Sequence, residues 1–97
     1  MITNQPNGLY CRFSTIVDCP THYNMTFDDY VKVIQDVAYF DFEGAKKEAL
    51  DIVTNYNYDF ENTMSQFVPN NMTQEKFDSI YVEMHEEVNE KTVMILT

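Results

Sequence analysis

Residues 73–91 read T-Q-E-K-F-D-S-I-Y-V-E-M-H-E-E-V-N-E-K, and whether this stretch is a helix or a hairpin decides the fold. Its apolar residues Phe77, Ile80, Tyr81, Met84 and Val88 recur at steps of three and four, the spacing of one helical face. At about 100° per residue, Glu75, Glu83, Glu86 and Glu90 fall opposite that stripe, with Asp78 and Glu87 on its flanks. Lys76 alone interrupts the acidic set before Lys91. The rival is a hairpin, because Ile80, Val82 and Met84 also alternate and residues 89–91 would serve as its turn. Helix formers dominate the stretch and the three-four spacing runs longer, so a helix is expected.

Upstream, residues 1–8 read as a loose leader closing in a turn at Asn7-Gly8. Residues 9–18 alternate: Leu9, Cys11, Phe13, Thr15 and Val17 share one face of a strand, and Pro20 is expected to end it. On one extended strand Cys11 and Cys19 would lie about 26 Å apart, beyond the reach of a disulfide, unless a bend near Pro20 shortens the path. Thr26 is a helix N-cap, with Asp28 and Asp29 in the first turn. Phe27, Tyr30, Val31, Ile34, Val37 and Ala38 continue as a helical stripe to about Phe40. Val33 and Phe40 lie off that stripe, so they touch the next helix or form a homodimer patch.

Asp41 is positioned to cap a second helix running to about Thr54, with Phe42, Ala45, Ala49, Ile52 and Val53 inward. One long kinked helix is the alternative there. Residues 55–58 form a polar aromatic connection, and Asp59 caps a short helix through Phe67 with Phe60, Met64 and Phe67 inward. Residues 69–71 are a stop, Thr73 caps the last helix, and residues 92–97 are an apolar run of strand length. That run is expected to pair with the first strand, since one strand alone has nothing to pair with. The expected fold class is α+β in a single domain over 1–97: three or four helices packed on a small sheet of the N- and C-terminal strands.

Sixteen acids against six bases give a net charge of −10, which repels nucleic acid and anionic membranes and favours a basic partner. Aromatics at 14% exclude a disordered acidic tail. Without a basic and apolar leader or a spanning segment, the expected setting is intracellular. The Asn-x-Thr triplets at Asn24 and Asn71 then carry no weight as glycosylation sites.

The chemistry the pattern offers is an acidic, partner-binding surface of Glu75, Asp78, Glu83, Glu86, Glu87 and Glu90, extended by Asp28, Asp29 and Asp36. Glu83, Glu86 and Glu90 would span about 10 Å of helix, a spacing comparable with successive phosphates of a nucleic acid strand. No metal site is expected, because Cys11, Cys19 and His22 are spaced C-x7-C-x2-H, without the paired-cysteine knuckle of zinc sites. Asn55, Asn57 and Asp59 begin like a calcium loop, but Phe60 takes the place of its glycine and Gln66 that of its closing glutamate. Two glycines allow no phosphate-cradling loop, and three serines and two histidines form no nucleophile pattern.

The expectation is therefore a small, acidic, non-enzymatic inhibitor without cofactor, occupying a basic, nucleic-acid-binding surface of another protein. An adaptor working through Val33, Phe40, Tyr56 or Tyr58 is the alternative, and a small enzyme ranks third. In size, charge and aromatic content the chain resembles the small acidic inhibitors that bacterial viruses direct at host nucleases, restriction enzymes or CRISPR effectors. That resemblance covers no motif and transfers no site residue.

Overall fold

The computed structural model describes residues 1–14, 19–38, 41–67, 72–86 and 93–94. The elements follow in the order β1 (Ile2–Asn4), β2 (Tyr10–Ser14), β3 (Cys19–Met25), α1 (Phe27–Ala38) and α2 (Phe42–Asn55). They continue with β4 (Asn57–Tyr58), α3 (Phe60–Ser65), α4 (Gln74–Glu83) and β5 (Val93–Met94). The strands form one mixed sheet in the order β4-β1-β2-β3-β5; β1 and β4 are parallel and the other neighbours antiparallel. Among the described residues four helices pack on this sheet, so the fold is α+β.

Each helix starts where the sequence places a cap. Thr26 Oγ1 accepts from the Asp29 amide while Asp29 Oδ2 accepts from the Thr26 amide, a reciprocal box with an aspartate in the usual glutamate place. Asp41, Asp59 and Thr73 accept from the amides of Gly44, Asn62 and Lys76. Such a cap contributes about 1 kcal/mol, and Asp41 is what separates α1 from α2 into two helices.

The sheet departs from expectation in four places. Residues 1–8 are not a loose leader: Ile2–Asn4 forms a strand, held between β2 and β4 by the buried Ile2 and Thr3, and Thr3 Oγ1 donates to the Tyr58 carbonyl. The strand expected over residues 9–18 is described only for Tyr10–Ser14, and Pro20 does not end it. Instead Pro20 is the second residue of β3, beside a register shift, where the lack of an amide is tolerated. Cys11 and Cys19 therefore lie on neighbouring strands, with the Cys11 side chain buried. Finally, β5 pairs with β3, not with the strand at 9–18, because β2 already has β1 and β3 on its two edges.

The decisive stretch is helical over Gln74–Glu83, so the hairpin is excluded there. The helix ends earlier than the expected Lys91: Met84 is its C-cap and a turn follows through Glu86. Glu87, Val88 and Glu90 lie outside the described residues, as do Phe40 and Val68.

Both faces of the sheet are covered. Cys11 and Tyr23 pack with Phe60, Met64, Phe77, Ile80 and Met84 of the α3–α4 side. Ile2 and Met25 pack with Tyr30, Val31, Ile34, Ala45 and Ala49 of the α1–α2 side. Residues 23 and 25 of one regular strand would share a face. They are separated because Asn24 adopts φ +59 and an extra residue enters β3, where Tyr10 and Arg12 oppose Met25 and His22. This bulge lets one strand serve both cores. Phe42, expected inward on α2, is exposed on the first turn, and Val33 packs against the α1–α2 core.

Candidate functional site

Asp59, Glu61, Glu75, Asp78 and Glu86, on α3, α4 and the residues flanking them, are all exposed. The short α3 is positioned by its Asp59 cap and by the buried Phe60, Thr63 and Met64. The longer α4 is anchored by the buried Phe77 and Ile80, which turns Glu75 and Asp78 outward.

The two helices are joined by an aromatic and acidic cluster. The Tyr81 hydroxyl donates to both oxygens of Glu61 at 3.0 and 2.9 Å, and this bond raises the Tyr81 phenol above its ordinary range. Phe60 stacks on Tyr81 with centroids 5.8 Å apart, and His85 lies 4.6 Å from the Tyr81 ring. His85 Nδ1 lies 2.8 Å from the Tyr81 carbonyl, so that nitrogen carries the proton, and His85 Nε2 is 3.8 Å from Glu61 Oε1. A groove of about 290 Å³ runs between the helices beside this cluster.

The sequence-derived acidic surface is only partly assembled. Glu75, Asp78 and Glu86 stay on the exposed side, while Glu86 sits in the turn after α4 and not on the helix. Glu83 leaves the row: it is half-buried, and its Oε2 accepts a 2.6 Å hydrogen bond from Tyr23 of the sheet. The row fails there because α4 lies across the sheet with Met84 and Ile80 beneath it, which brings Glu83 within reach of β3. Asp28, Asp29 and Asp36 belong to α1, which packs on the opposite face of the sheet, so the described members of the set do not form one continuous surface. Glu61 of α3 stands beside Asp78 and Tyr81 of α4, and the exposed Asp59 caps the same α3. Helical spacing within residues 73–91 held no signal for Glu61 or Asp59; the Asp59 cap, with Glu61 two residues on, was the only pointer.

A second concavity of about 310 Å³ opens at the β1–β4 end of the sheet, where Phe13 meets Tyr58 and Phe67 edge-on, each at 5.4 Å. Among the described residues no three His, Cys, Asp or Glu side chains converge as a metal-ligand set. No helix among them is long and apolar enough to cross a membrane. No protein-family model, curated protein or solved structure matches this chain.

Proposed function

We propose that this chain is a non-enzymatic binding protein that occupies a basic surface of a partner through the outer side of α3 and α4. The observation that supports this is charge distribution. Among the described residues of α3, α4 and the turn after it, five exposed carboxylates face one lysine, Lys76, and none of the five pairs with Lys or Arg. A net charge of −10 adds long-range attraction to any cationic surface and repulsion from nucleic acid and anionic membranes. A partner with such a surface would normally use it for nucleic acid, so occupation amounts to inhibition by exclusion. An intracellular setting goes with this reading.

The test is capture of partners from lysate at low and high salt, using the intact protein and the triple variant Glu75→Gln, Asp78→Asn, Glu86→Gln. This variant leaves the buried stripe and the Tyr23–Glu83 bond alone. The reading expects salt-sensitive capture, loss in the triple variant, and displacement of bound DNA or RNA from the purified partner. Salt-insensitive capture that the triple variant retains would overturn it.

A second reading has its own observation. Val37, Phe42 and Leu50 of α1 and α2 are exposed at 54, 52 and 58%. An adaptor would use this apolar side, its binding would persist in high salt, and Phe42→Asp would abolish it.

A further inference from the structure

We infer that the groove between α3 and α4 receives an arginine side chain of the partner, an anchor that rests on the acidic-face reading above. Its floor is Met64 and Phe77, both buried members of the core, and its sides are Glu61 of α3, Asp78 of α4 and Tyr81. Each carboxylate already has a neutral donor: the Tyr81 hydroxyl on Glu61, and Gln74 Nε2 at 2.8 Å on Asp78. These bonds orient the two acids without neutralising them, and each carboxylate keeps lone pairs for further donors.

That combination of an apolar floor between two acids selects among cations. An arginine lays its methylene stem along Met64 and Phe77 while its planar fork of five donors reaches acids from both helices at once. Its guanidinium is weakly hydrated, so resting over the apolar floor costs it less than it costs an ammonium. A lysine presents one compact, strongly hydrated charge that meets one acid at a time. Anions are excluded by the same two carboxylates.

The experiment titrates the intact protein with acetylated tetra-arginine and tetra-lysine peptides at low salt, by calorimetry and by following the Met64 methyl resonance. Tetra-arginine should bind about threefold more tightly than tetra-lysine, on the scale of one additional solvent-exposed ion pair. Ser65→Trp, which fills the groove and changes no charge, should remove that preference. Because that variant alters packing, two charge-matched pairs serve beside it. Glu61→Gln with Asp78→Asn should erase the arginine preference, whereas Glu75→Gln with Glu86→Gln should weaken both peptides alike. If the peptides bind equally and Ser65→Trp changes neither, the groove inference is overturned while the acidic face stands. If neither peptide binds at low salt, both readings fall.

Discussion

The Tyr23 hydroxyl donates a 2.6 Å hydrogen bond to Oε2 of Glu83, joining the middle of the sheet to the last turn of α4. A residue that helical spacing assigns to solvent is thus part of the structure. Glu83→Ala leaves the Tyr23 hydroxyl, on a side chain only 3% exposed, without its acceptor and should cost about 1–3 kcal/mol. Glu83→Gln keeps an acceptor oxygen and should cost less. Equal, negligible losses in urea denaturation for both variants would return Glu83 to the surface.

Tyr23, Tyr30 and His22 each contribute to the pH dependence of stability. Burial raises the phenol of Tyr30 to about 12; burial, together with the Glu83 bond, raises Tyr23 further. The unfolded tyrosines ionise near 10, so this stabilisation is complete below about pH 10 and is lost as pH rises through the folded values. His22 is lowered, first by burial and second by the Arg12 charge, so its contribution is present above about pH 6.5 and lost as pH falls. Ultraviolet titration should show Tyr23 and Tyr30 ionising above pH 10. A single midpoint near 10 with the fold intact would contradict this.

Ile80 is 1% exposed in the α3–α4 core and Val82, two residues on, is 56% exposed. Ile80→Ala should cost about 2–5 kcal/mol, and Val82→Ala within about 0.5 kcal/mol. A similar loss for both would mean that α4 buries a different face.

Asn24 holds φ +59 and buries its amide. Its Oδ1 accepts from Gln5 Nε2 at 2.7 Å and Asn7 Nδ2 at 3.0 Å, and its own amide donates to Gln5 Oε1 at 2.7 Å. Asn24→Gly loses the side-chain acceptor but keeps the left-handed backbone open to it. Asn24→Ala loses both and should be roughly 1 kcal/mol less stable than the glycine variant by thermal melting.

Concentration-dependent sedimentation checks the homodimer expected from Val33 and Phe40. Val33 packs within its own α1–α2 core, so Val33→Ala should destabilise the fold without changing the sedimentation coefficient. Any self-association would then run through Phe40 or through the exposed Val37, Phe42 and Leu50, and Phe40→Asp and Phe42→Asp tell the two apart.

The elements that local chemistry marks were legible in the sequence. Thr26, Asp41, Asp59 and Thr73 each cap the helix they were assigned, because a cap is decided by three or four neighbouring residues. The buried Phe77, Ile80 and Met84 were legible for a similar reason, the helical period. What was hidden depends on contacts distant in sequence. The strand at Ile2–Asn4 has no alternation long enough to read, and it exists because β2 and Asn57–Tyr58 flank it. The bulge at Asn24 breaks the period that strand reading relies on. Of the candidate site, Glu75, Asp78 and Glu86 were visible as exposed acids. Glu61 was not, because only the meeting of α3 with α4 brings it to Tyr81, twenty residues away.

Asn7 has a consequence for how the chain comes to fold during synthesis. Its side chain donates to the carbonyls of Glu83 and Glu86, and its backbone amide to that of Met84, so the first turn of the protein finishes the last turn of α4. The partners are 76 and 79 residues apart. At a translation rate of about 5–20 residues per second, Asn7 waits roughly 4–15 s for them to be made. During that interval Gln5, Asn7 and Asn24 can hold one another, and β1, β2 and β3 can pair, but the face that α3 and α4 will cover stays open. The acidic surface is therefore assembled on β1, β2 and β3 already in place, and β5 joins β3 only after it.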